Sequence, residues 1–133
     1  MIRRMSHTSV FVLDQDRAKK FYTEKLGFEV KTDAKMGDFR WLTVGPKGQS
    51  DLEVVLMPIR AGMMMPEDAC TKLKSLVEGG FMGAGVFETA DCKKTYEELG
   101  DKIVVVFTSA PPKPTLRVSS KYTLSSHEVG VFE

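Results

Sequence analysis

Hydrophobic and polar positions near the start of the chain follow first a period of two and then a helical one. Ser6 to Leu13 is rich in β-branched and aromatic residues and ends at Asp14, which predicts a strand feeding a helix N-cap. Gln15 to Leu26 places Ala18, Phe21, Tyr22 and Leu26 near helical spacing, and Gly27 follows as a C-terminal stop. Phe28–Thr32, Phe39–Val44 and Asp51–Met57 then read as three strands, separated by polar segments that hold Gly37, Gly45, Pro46 and Gly48. The first half is thus β-α-β-β-β.

Pro58 to Gly80 is a connector with a short helical pattern of Ala69, Leu73, Leu76 and Val77, opened by Pro66 and Glu67 and closed by Gly79 and Gly80. Beyond it a strand from Met82 to Thr89, Asp91 as a cap, a helix through Tyr96 and Leu99, and a strand from Ile103 to Thr108 repeat the β-α-β order. The two helical stretches share a K-K-x-Y-x-E pattern, Lys19 to Glu24 and Lys93 to Glu98, a weak echo between the halves. Pro111, Pro112 and Pro114 end the last strong strand. Thr115 to Glu133 is polar and Ser-rich, with room for two closing strands.

Composition narrows the function classes. The chain has 133 residues, which suits one compact domain able to bury a core without disulfides or a structural metal. Nineteen Lys+Arg against eighteen Asp+Glu, interleaved instead of striped, argue against nucleic acid as a partner. Cys70 and Cys92 have no neighbouring Cys to form a chelating pair, and reduced thiols in a cytoplasm fit them best, with a single disulfide left open. The apolar stretch Val10 to Leu13 is too short for a signal sequence, and no membrane-spanning run is visible, so a cytoplasmic protein is expected. The glycines between Gly79 and Gly85 precede a strand instead of linking a strand to a helix, so they do not read as a phosphate loop.

His7-x-x-Val10-x-Val12-x-Asp14, followed by Ala18-x-x-Phe21-Tyr22-x-x-x-Leu26-Gly27-Phe28, resembles the opening of vicinal oxygen chelate proteins, the superfamily of glyoxalases, bleomycin-resistance proteins and extradiol dioxygenases. Asp51 to Pro58 is similar to the fourth strand of that family, and Gly79-Gly80-Phe81 through Asp91 to the start of its second module. The resemblance spans residues 5 to about 110. It implies an α+β fold in which two βαβββ modules, residues 5–58 and 81–133 around a connector at 59–80, form a cupped mixed sheet with helices outside, the second module diverging at its C-terminal end. It also implies a single domain over residues 1–133, a small-molecule ligand and a homodimer.

Strand alternation puts His7, Ser9, Phe11 and Leu13 on one face of the first strand and Glu53, Val55 and Met57 on one face of the fourth. Metal-dependent relatives take one ligand from each of these strands and one from each counterpart in the second half. The resemblance therefore makes His7 and Glu53 candidate ligands for nickel, zinc, manganese or iron. In the second half Ala84 stands where many relatives carry a histidine, and Glu133, the terminal residue, is the nearest candidate for the last ligand. His127 and Glu128 are adjacent on a segment where neighbours would point to opposite faces, so they read as surface residues. Phe11, Phe39, Trp41 and Thr43 are candidate lining for a flat ligand. Against these stand plainer readings: a His7 ring bonded to a backbone carbonyl, a Glu53 paired with Arg40 or a lysine, a Trp41 that is ordinary core, and a Met63-Met64-Met65 run that fills a gap.

Two functions follow. One is a small-molecule-binding protein similar to the bleomycin-resistance branch, metal-free, which sequesters an aromatic or cationic compound. The other is a metal-dependent lyase or isomerase of glyoxalase type, in which a cation on His7 and Glu53 would stabilise an enediolate and Glu53, as the catalytic residue, or a partner carboxylate would move the proton. An extradiol dioxygenase ranks third, because its second histidine is absent from the expected position.

Overall fold

The computed structural model describes residues 1–62, 65–82, 86–90, 92–99, 105–107, 116–117 and 130–131. Two compact units divide the chain, Met1–Lys74 and Ser75–Glu133, with the boundary inside the connector helix.

The first unit begins with β1 (His7–Val12), α1 (Gln15–Glu24), β2 (Glu29–Met36), β3 (Phe39–Gly45) and β4 (Glu53–Pro58). This is the βαβββ order that the hydrophobic pattern predicts. Asp14 caps α1 from an extended conformation, its Oδ1 accepting from the Arg17 N–H at 2.7 Å. Gly27 leaves the helix at φ +68°, where a Cβ would be strained, and the Phe28 N–H turns back to the Tyr22 carbonyl.

β2 extends well past the expected end at Thr32. The two-residue turn Gly37–Asp38, with Gly37 at φ +62°, brings Lys35 and Met36 opposite Arg40 and Phe39. Those residues are polar or exposed because β2 is an edge strand, and the hairpin turn holds them without a buried face.

The sheet order is β1-β4-β3-β2. β1 runs parallel to β4 with His7 opposite Glu53, and β3 runs antiparallel to β4 through Thr43↔Val55 and Val44↔Val54. Beyond those pairs the Gln15 side chain takes over, its amide donating to the carbonyls of Leu56 at 2.8 Å and Arg40 at 3.2 Å. One glutamine at the first turn of α1 thus satisfies two strand carbonyls.

Ion pairs show which face α1 covers. Arg40 on β3 reaches Asp16 of α1, and Lys19 of α1 reaches Asp33, which also grips Arg40 through both carboxylate oxygens at 2.7 and 2.8 Å. Arg40, Leu42 and Val44 share a face of β3, and Leu42 and Val44 with Val54, Leu56 and Val12 form the core under Ala18 and Tyr22. Phe39, Trp41 and Thr43 point the other way, together with His7 and Glu53.

The Arg40 guanidinium, and next to it the Lys19 ammonium, hold the Asp33 carboxyl well below the usual carboxylate range, and the same bonds raise Arg40. A carboxyl with a depressed folded pKa stabilises above its unfolded pKa and loses that contribution as pH falls toward the folded value. With the Asp33 side chain 29% exposed, screening limits the network to about 1 kcal/mol. The stability difference between wild type and Asp33→Asn is therefore expected to be constant from pH 7 to about 5 and to shrink below roughly pH 4, as read by urea unfolding across pH. A difference that grew on acidification would contradict the ion-pair account.

α2 (Glu67–Glu78) occupies the connector, with the opening and closing expected from sequence. It ends as predicted at the glycine pair: Gly80 lies at φ +74°, its N–H returns to the Val77 carbonyl, and the Phe81 N–H returns to that of Leu76, a Schellman closure. Cys70 is a free, buried thiol on this helix.

β5 (Val86–Glu88), α3 (Cys92–Leu99), β6 (Val105–Phe107), β7 (Leu116–Arg117) and β8 (Gly130–Val131) complete the second unit. The β-α-β-β-β order recurs, and the closing strands expected after Thr115 are present. The sheet order differs, however: β5-β6-β7-β8, with β5 parallel to β6, so the first strand lies beside the second and not beside the last. Asp91, Met63 and Met64 lie outside the described residues. Among the described residues no helix is long and apolar enough to cross a membrane.

Candidate functional site

Glu53 is the first residue of β4, and its N–H donates to the Ser6 carbonyl at 2.9 Å, which fixes the start of the parallel ladder. Register sets His7 beside it, and alternation sends both side chains to the face opposite α1. His7 Nε2 lies 3.7 Å from Glu53 Oε2, and its Nδ1 is 2.9 Å from Ser6 Oγ. The ring thus bonds a neighbouring hydroxyl, not the backbone carbonyl considered from sequence.

Thr43 enters from β3. It is fully buried, and its Oγ1 donates to Glu53 Oε2 at 2.5 Å, the length of a charge-assisted bond. The Glu53 carboxylate is therefore partnered by Thr43 and His7. Arg40, considered as its partner from sequence, is bound to Asp33 and Asp16 on the α1 face. Glu53 Oε1 takes no hydrogen bond among the described residues, and the side chain is 26% exposed.

Trp41 stands two residues before Thr43, half-buried, with its ring 5.8 Å from the His7 ring and 6.2 Å from Phe39. Phe11 lies opposite Met57 in the β1–β4 register, on the same face and also half-buried. The face thus gathers three aromatic side chains, an imidazole, a buried hydroxyl and a carboxylate. Of the candidate residues, His7, Phe11, Phe39, Trp41, Thr43 and Glu53 share this face. Glu133, with Ala84, His127 and Glu128, lies outside the described residues.

Two contributors had no signature in the sequence. Ser6 orients the imidazole through its side chain, and a serine preceding a strand carries no mark of that. Gln15 reads as an ordinary helix residue because the carbonyls it serves are distant in the chain.

His7 Nε2 and Glu53 Oε2 are near enough to share an ion, but among the described residues no group of three His, Cys, Asp or Glu converges. Two donors do not complete the three- or four-ligand set of a resident ion. The described residues alone therefore do not fit a metal centre.

The chain is similar to several known proteins. Over 107 residues the chain is 41% identical to YurT, an uncharacterized protein of Bacillus subtilis (strain 168), covering 80% of this chain and 79% of that one. The crystal structure of UcmS2 superposes with a TM-score of 0.75 at 40% identity, covering 90% of each chain. That of TnmS3, an antibiotic binding protein from Streptomyces sp. CB03234, superposes with a TM-score of 0.59 at 27% identity, covering 90% of this chain and 88% of the other. Residues 4–118 match the family described as Glyoxalase/Bleomycin resistance protein/Dioxygenase superfamily, and the chain belongs to it.

Proposed function

We propose that this protein binds a flat aromatic small molecule on the face of the β1–β4 sheet opposite α1 and holds it without transforming it. The observation that carries the proposal is the row of Phe39, Trp41 and His7 rings beside the Thr43–Glu53 pair. Half-buried aromatic side chains offer large, rigid contact area, and one oriented carboxylate supplies orientation. The likeness to TnmS3, an antibiotic binding protein, supports ligand capture over turnover.

Trp41 is the single tryptophan, so its fluorescence reports directly on this face. Titration with a panel of polycyclic aromatic compounds is expected to give saturable quenching by at least one of them, with the compound recovered chemically unchanged after prolonged incubation. The competing reading, a divalent-metal lyase or isomerase with Glu53 as base, rests on the His7–Glu53 juxtaposition. Calorimetric titration with nickel, zinc and manganese decides between them. Stoichiometric binding lost in both His7→Ala and Glu53→Ala would overturn the proposal.

A further inference from the structure

The Glu53 carboxylate is placed asymmetrically. Oε2 is engaged by Thr43 and faces His7, while Oε1 accepts nothing among the described residues. Thr43 is fully buried, and its one hydroxyl proton is committed to Oε2. A hydroxyl in that position fixes one oxygen of the carboxylate and so limits where the other points. Trp41 shares this face, two residues along the same strand. A flat molecule lying on the Trp41 ring would therefore meet, at its edge, a group that can only accept hydrogen bonds when ionised. The nearby cation Arg40 is engaged on the opposite face of the sheet and cannot substitute for a ligand donor.

We propose that Glu53 Oε1 is the specificity-determining acceptor of the site, that Thr43 is its positioning residue, and that the preferred ligands are aromatic compounds carrying an O–H or N–H at the ring edge. This inference rests on the ligand-binding function proposed above and adds a chemical class to it. An otherwise similar ligand without the donor leaves the carboxylate oxygen unpaired on binding, which for a partly exposed group costs roughly tenfold in affinity.

The test uses the full chain and two probes of nearly equal shape, 2-naphthol and 2-methoxynaphthalene, read by Trp41 quenching. Wild type is expected to bind the naphthol about tenfold more tightly than the ether. Glu53→Leu should bring the two affinities within about twofold by lowering that of the naphthol. Thr43→Val should narrow the preference by lowering the naphthol's affinity more than the ether's, and Thr43→Ser, which keeps the hydroxyl, should restore it. A merely structural Thr43 would lower both affinities alike in Thr43→Val, and that result would overturn its positioning role. Equal binding of both probes to wild type, or a full preference retained in Glu53→Leu, would overturn the inference and leave aromatic binding standing. Failure of both probes and of every compound of the polycyclic panel to quench wild-type Trp41 would remove the binding function itself, and the inference with it.

Discussion

Leu56→Ala is expected to lower the unfolding free energy by about 3 kcal/mol, the midrange for truncating a fully buried leucine. Leu56 is completely enclosed on the α1 face of β4, opposite Val10 of β1 and among Leu42, Val44 and Val54. No flexible end of the side chain is free to refill the space, and its own carbonyl is tied to Gln15, so the strand cannot sag inward without breaking that bond. In a domain whose net stability is of order 5–15 kcal/mol, such a loss moves the urea midpoint far while leaving the slope unchanged. A loss under about 1 kcal/mol would mean that the α1 face is not the principal core of this unit.

The largest effect on binding is expected from Trp41→Ala. Removing the indole takes away a large apolar surface and a ring contact offered to an aromatic ligand, about 2 kcal/mol, or roughly thirtyfold in affinity. The fluorophore is lost with the residue, so the measurement is calorimetric. Trp41→Phe keeps a ring and should retain most of the affinity, which separates stacking from general disruption. Unchanged affinity in Trp41→Ala would place the ligand elsewhere on the protein. Because Trp41 is only half-buried, the fold should tolerate the change better than it tolerates Leu56→Ala.

The first half of the chain was largely legible because its signals are local. Asp14 as cap, Gly27 as stop and the alternation in β1, β3 and β4 each depend on neighbours close in sequence, and alternation alone put His7 and Glu53 on faces that the parallel register then joined. The extension of β2 was not legible, because Thr32 to Met36 lacks an apolar alternation and is held as strand by its partner and by the turn at Gly37. Nor was the partner of Glu53. Arg40 and Thr43 are both on β3, and the odd spacing between them sends one to each face, a distinction that matters only once the sheet is assembled. In the second half the Schellman closure at Gly80 was readable from its glycine pair, while the pairing of β5 with β6 was not, since strand order is a long-range property that periodicity does not encode.

Gln15 makes the spacing of two strands depend on the length of one side chain. Where a ladder is closed by main-chain bonds, neighbouring strands sit at a fixed distance. Here the Arg40 and Leu56 carbonyls are bridged by an amide on a stem of two methylenes, so the opening between β3 and β4 near Trp41 and Met57 is set by a residue that can be exchanged without touching either strand. A shorter amide at that position would draw the carbonyls together or release one of them, and a different side chain would let the strands spread. The breadth of the face that carries Trp41, Thr43 and Glu53 is therefore adjustable from the far side of the sheet, through a residue of the helix.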